Sequence, residues 1–126
     1  MQLPKTILIV DDNIDMLELL RMYLRDAGHT IAVAEDGNEA LRAIEAQCPD
    51  LLITDLRMPN GDGLELIERL RAKPELNEMP ILVLTANGDG KSHKARDAGA
   101  NVVMRKPVDF DSVKDVVKEL LKSYTR

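Results

Sequence analysis

The stretch DLLITDLRMPNGDGLELI (50–67) decides how this chain folds. Leu51, Leu52 and Ile53 form an unbroken apolar run, the pattern of a strand covered on both faces. Two residues later comes Asp55, a carboxylate placed where that strand should be leaving the core. Asn60, Gly61 and Asp62 then supply turn chemistry. From Gly63 a helical pattern runs to Ala72, closed by Lys73-Pro74. Strand, acid, turn and helix make one βα unit, and the acid at its centre needs a reason.

The unit recurs. TILIV (6–10) precedes a helical pattern over 14–27 that stops at Gly28, a residue suited to ending a helix. IAVA (31–34) precedes one over 38–47, with Ala40, Leu41 and Ile44 on one face. The strand of the opening stretch spans 50–54. PILVLT (80–85) precedes a weaker helix over 91–98, and NVVM (101–104) precedes the last, over 109–123. There Val113, Val116, Val117, Leu120 and Leu121 keep helical spacing. Five strand–helix units in strict alternation predict a parallel sheet with helices on both faces, an α/β doubly wound fold.

Bulk composition narrows the class. The 126 residues fit one domain, 1–126. Apolar residues make up 44% but aromatics only 2%, so the core must be built from Leu, Ile, Val, Ala and Met. A net charge of -5 argues against direct nucleic-acid binding and against anionic membranes. Cys48 is the only cysteine, which excludes an internal disulfide and favours a reducing, cytoplasmic setting. Apolar runs such as ILIV are far too short to span a bilayer, and Asp11 arrives before a signal-peptide core could form.

Parallel strands point the same way, so their C-terminal ends share one edge, where open α/β sheets bind ligands. Asp11 and Asp12 end the first strand, Asp55 the third and Thr85 the fourth, and Lys106 lies just past the fifth. Singly these residues are unremarkable. An Asp pair after a strand is ordinarily a helix N-cap with an exposed neighbour. Asp55 alone reads as a turn residue, Thr85 as a β-former, and Lys106 as a solvated charge. Together, at four of five strand ends, they point to a site.

LIVDDN (8–13), LLITDLRMPNGDGLEL (51–66), LTA (84–86), DAGA (97–100) and RKP (105–107) resemble the receiver domain of two-component response regulators. The likeness runs over about 6–121, with the motifs in family order. It implies the strand order 2-1-3-4-5, which brings Asp11, Asp12 and Asp55 around one crevice, with Thr85 and Lys106 flanking its far side. Three carboxylates so close would repel one another strongly, and one lysine offsets only part of that. A hard divalent cation with oxygen ligands resolves it.

By resemblance the cation is Mg²⁺, held directly by Asp12, through water by Asp11, and by Asp55 and the main-chain carbonyl of Arg57. Asp55 is then the phosphoacceptor, Thr85 the switch hydroxyl, and Lys106 the contact to the phosphoryl group. The Lys106–Pro107 bond is expected to be cis. Ala86, Asn87, Val103 and Pro107 are the switch or modulating positions. Arg57 and Asn87 border the path of an attacking water, and a long cation at 57 implies slow self-dephosphorylation. Val103 stands where the family carries an aromatic ring that swings inward, and valine has no such freedom. Movement is therefore expected in the 86–98 region, where Gly88 and Gly90 leave the backbone permissive.

The implied partners are a sensor histidine kinase or a histidine phosphotransfer protein upstream. Downstream, a protein target or effector domain would read the last two helices and the fifth strand. The resemblance makes the chain a signalling phosphoacceptor rather than an enzyme acting on other substrates. No effector segment follows residue 121, so either a single-domain regulator or a receiver taken from a longer chain fits.

Three other readings fit less well. A haloacid-dehalogenase-type hydrolase has Asp-x-Asp, and position 57 is Arg. A receiver degenerated into a binding module would have lost key residues, and all five are present. A flavodoxin-like cofactor protein needs a phosphate-cradling loop after the first strand, where DDNIDM is acidic.

Overall fold

The computed structural model describes residues 5–58, 62–86 and 92–123. Asn60, Gly61 and the segment Asn87, Gly88, Asp89, Gly90 and Lys91, to which the sequence assigns turn and switch roles, lie outside the described residues. The elements alternate as expected: β1 Thr6–Val10, α1 Ile14–Asp26, β2 Thr30–Ala34, α2 Gly37–Ala46, β3 Leu51–Thr54 and α3 Gly63–Arg71, then β4 Ile81–Ala86, α4 Ser92–Ala98, β5 Val102–Lys106 and α5 Phe110–Ser123. The five strands form one parallel sheet in the order β2-β1-β3-β4-β5.

Each strand divides its side chains between two cores. On one face Leu8, Val10, Leu52, Ile81 and Val83 pack with α2, α3 and α4. On the other, Ile7, Ile9, Leu51, Ile53, Leu82 and Leu84 pack with α1 and α5. This is why β1, β3 and β4 read as continuous apolar runs: alternation is erased when both faces are covered. β2 is an edge strand, and only Ala34 in it is buried.

The boundaries differ from the sequence reading by one or two residues, for local reasons. α2 begins at Gly37 rather than 38 because the Asp36 carboxylate accepts the Glu39 N–H (2.8 Å) and caps it. The N-cap of α1 is Asn13, whose side-chain oxygen accepts from the Met16 N–H, so neither Asp11 nor Asp12 serves that role. β4 continues through Thr85 to Ala86, and β5 extends to Lys106, which is paired in register with Ala86 rather than standing beyond the strand. Lys73-Pro74 does end α3, but the chain then makes a 3-10 turn, Pro74–Leu76, that buries Leu76.

Arg71, at the end of α3, ties three segments together. Its Nε and Nη2 donate to the Gly99 carbonyl, Nη1 to the carbonyls of Leu76 and Asn77, and Nη2 also to Asn101 Oδ1. Asn101 Oδ1 accepts the Ile81 N–H as well, at the start of β4. Gly99 has φ +126, and a Cβ there would lie 2.6 Å from the Arg71 stem, so glycine is required on both counts.

Candidate functional site

The crevice lies at the C-terminal ends of β1 and β3, adjacent strands whose connections leave on opposite faces of the sheet. The strand ladder places its acids. The Asp11 N–H donates to the Ala34 carbonyl, and the Asp55 N–H to the Val10 carbonyl, each at 3.1 Å, so both acids continue the sheet's hydrogen bonding one residue beyond a strand.

Side-chain bonds then fix the carboxylates. Asp11 Oδ1 accepts the Asn13 N–H at 3.0 Å. Asp55 Oδ1 accepts the N–H groups of Leu56 (2.6 Å) and Arg57 (3.3 Å). The two remaining oxygens share one cation: Lys106 Nζ lies 2.9 Å from Asp11 Oδ2 and 2.8 Å from Asp55 Oδ2. The lysine is thus a bridge within the site rather than a residue on its far side. Its unbranched stem spans from β5, and the two negative charges hold its head.

Asp11 is 2% exposed and Asp55 9%, whereas Asp12 faces solvent. One carboxylate oxygen from each of the three lies within 4.8 Å of the others. Burial draws the Lys106 pKa down, but its hydrogen bonds to Asp55 and Asp11, and their charges, outweigh that and hold it above the ordinary lysine value. The bridge therefore persists as pH rises through the usual lysine range and is lost only beyond it. Three acids against one ammonium leave an excess negative charge in a half-closed space. An all-oxygen donor set of this kind fits a hard divalent cation.

Thr85 is fully buried on β4, in register with Arg105. Val103 is half-buried and packs against the α2–α3–α4 core, in register with Val83. Ala86 and Arg57 are exposed, and the Lys106–Pro107 peptide is cis, as the resemblance implies.

Two neighbours of Asp55 carry no role in the sequence reading. The Thr54 hydroxyl donates to the Asp55 carbonyl at 2.8 Å, and a Cβ at Gly63 would lie only 2.1 Å from that same oxygen. The one signal for Gly63 is a glycine opening a helix. For Thr54 it is a hydroxyl in an otherwise apolar strand.

An open parallel α/β sheet with clustered acids and a lysine at its switch point defines the doubly wound class. The response regulator receiver domain matches residues 7–118, and the chain belongs to that family. Among curated relatives, an uncharacterized 14.6 kDa protein of Leptolyngbya boryana is 41% identical over 82% of this chain and 79% of its own length. The response regulator MprA of Mycolicibacterium vanbaalenii is 37% identical over 98% of this chain, which spans 53% of that protein. The signal receiver domain of a signal transduction histidine kinase from Syntrophus aciditrophicus superposes with a TM-score of 0.90 at 32% identity, covering 97% of this chain and 93% of that one. Among the described residues no helix is long and apolar enough to cross a membrane.

Proposed function

We propose that residues 1–126 act as a single receiver domain in which the Asp55 carboxylate accepts a phosphoryl group. The observation that supports this most is the ammonium of Lys106 set between Asp55 and Asp11, with Asp12 beside them, at the switch point of the sheet. The donor is a phosphohistidine of a sensor histidine kinase or of a histidine phosphotransfer protein. An Asp55 oxygen forms a bond to phosphorus as the P–N bond breaks, and the electron pair leaves with the imidazole, which takes its proton from solvent.

Asp11, Asp12, Asp55 and the Arg57 carbonyl would hold Mg²⁺, which when bound neutralises charge on phosphoryl oxygens. Lys106 supplies a second positive charge on the same oxygens, and the Thr85 hydroxyl donates to the product. Signal leaves through altered protein contacts on α4, β5 and α5, read by a protein target or an effector domain, without direct nucleic-acid binding by this segment and in a cytoplasmic setting.

Incubated with acetyl phosphate and Mg²⁺, the chain should gain one acid-stable, base-labile phosphoryl group, and excess chelator should prevent it. Asp12→Ala should weaken Mg²⁺ binding and labelling together, each by at least about tenfold, the loss seen when even an outer-shell partner of a bound metal is removed. Labelling that proceeds unchanged in chelator contradicts the metal role.

Arg57 is exposed beside the acceptor and offers no general base. Self-dephosphorylation should therefore be slow, and Arg57→Asn should leave the phosphoryl group shorter-lived. A longer lifetime in the Asn variant, followed by loss of label over time, is the contrary result.

Ala95 anchors α4 while most of that helix is exposed, and Val103 is half-buried against the α2–α3–α4 core. Beryllofluoride, a phosphoryl mimic, should change backbone hydrogen exchange across 86–98 more than at Val103. Change at Val103 with 86–98 unaffected refutes this.

A further inference from the structure

We propose that Thr54 is a positioning residue for phosphotransfer, acting through the single peptide unit that joins Asp55 to Leu56; the catalytic consequence rests on the receiver reading above. The Thr54 hydroxyl donates to the carbonyl of that unit at 2.8 Å. The N–H of the same unit donates back to Asp55 Oδ1 at 2.6 Å. A trans peptide is planar, and its C=O and N–H point in opposite directions, so holding one end aims the other. The hydroxyl thus sets the direction of the N–H that fixes the Asp55 carboxylate and turns Oδ2 toward Lys106, 2.8 Å away.

The rest of the surroundings tighten the same unit. Gly63 comes so close to the Asp55 carbonyl that a Cβ would lie 2.1 Å from it, and the Gly63 N–H donates to the Leu56 carbonyl at 3.0 Å. The start of α3 is therefore packed directly on the peptide that Thr54 grips. A hydroxyl bound to a carbonyl also polarises the amide and strengthens the donation from its N–H.

The fold itself does not ask for a hydroxyl here. Residue 54 is fully buried in a strand whose other members are Leu51, Leu52 and Ile53. Valine has nearly the same shape, a higher affinity for such a site, and no polar group to desolvate. A threonine retained only for structure would be replaceable by valine without consequence, and its hydroxyl would be resting on the nearest acceptor. A positioning threonine gives a different outcome: the valine protein loses little stability, because only the Asp55 carbonyl gives up a donor, yet its reaction slows and the Leu56 N–H shifts.

The test compares Thr54→Val and Thr54→Ser in the full chain. With acetyl phosphate and Mg²⁺, the valine variant should phosphorylate about fivefold more slowly, the equivalent of one neutral hydrogen bond, with the donor concentration for half-maximal rate unchanged. Its urea midpoint should fall only slightly, since one buried carbonyl loses its donor while the apolar fit is kept, and serine should restore the rate. In the metal-free protein the Leu56 amide proton should move upfield in the valine variant and return in the serine one. Should valine fail to fold, Thr54→Ala against Thr54→Ser makes the same comparison. A valine variant reacting at the parent rate, a serine variant as slow as valine, or an unmoved Leu56 resonance overturns the proposal. If the parent chain takes no phosphoryl group, the receiver reading fails and the catalytic consequence with it. The Leu56 resonance still decides separately whether Thr54 holds the peptide.

Discussion

Asp55→Asn is expected to reduce labelling by acetyl phosphate at least about a thousandfold, the scale on which losing a nucleophile is felt. An amide oxygen carries no full charge, and the amide nitrogen's lone pair is delocalised, so neither attacks phosphorus at neutral pH. The fold should not suffer. Asn keeps the size of Asp and an oxygen for the Leu56 and Arg57 N–H groups, and removing one of three clustered negative charges relieves repulsion. Lys106 retains Asp11 as a partner. Loss of labelling with an unchanged or raised urea midpoint is the predicted pair of results. Equal labelling of the Asn variant would sink the assignment of Asp55.

Arg71→Ala should destabilise the chain by about 3 kcal/mol, the largest expected effect on stability, because it removes a charged donor from several part-buried oxygens at once. All five guanidinium N–H groups are used, on Gly99, Leu76, Asn77 and Asn101. The estimate stays moderate because two acceptors keep other donors: Met79 N–H for the Leu76 carbonyl, and Ile81 N–H for Asn101 Oδ1. Arg71→Lys should recover little, since one ammonium cannot reach oxygens arranged around a planar fork. Urea unfolding with an unchanged m-value checks both variants, and a loss below about 1 kcal/mol for alanine means the clamp adds little.

Much of this architecture was legible in the sequence because burial on both faces leaves a mark that periodicity can read. TILIV, LLIT and ILVLT are unbroken because β1, β3 and β4 are interior strands. The strand order was not readable from pattern and came through the resemblance, since hydropathy says nothing of which strand neighbours which. The acids were visible because a carboxylate at the end of a buried strand contradicts its surroundings. For Lys106, spacing indicates only nearness to the site, and the reach of its stem shows that it bridges two acids. Thr54, Gly63 and Arg71 are not legible in the sequence, for one shared reason. Each acts on a main-chain carbonyl that belongs to no motif, and such partners leave no trace in residue type.

The central claim is that the phosphoryl group is carried by Asp55, and chemical mapping tests it most directly. The phosphorylated chain, treated with borohydride, has its acyl phosphate reduced to an alcohol, so the labelled aspartate becomes homoserine. Peptide sequencing by mass spectrometry then reads the position. Homoserine at position 55, absent when Mg²⁺ is chelated, is the predicted result. Homoserine at position 11 or 12 instead, or at no position in a chain that carries label, would contradict it.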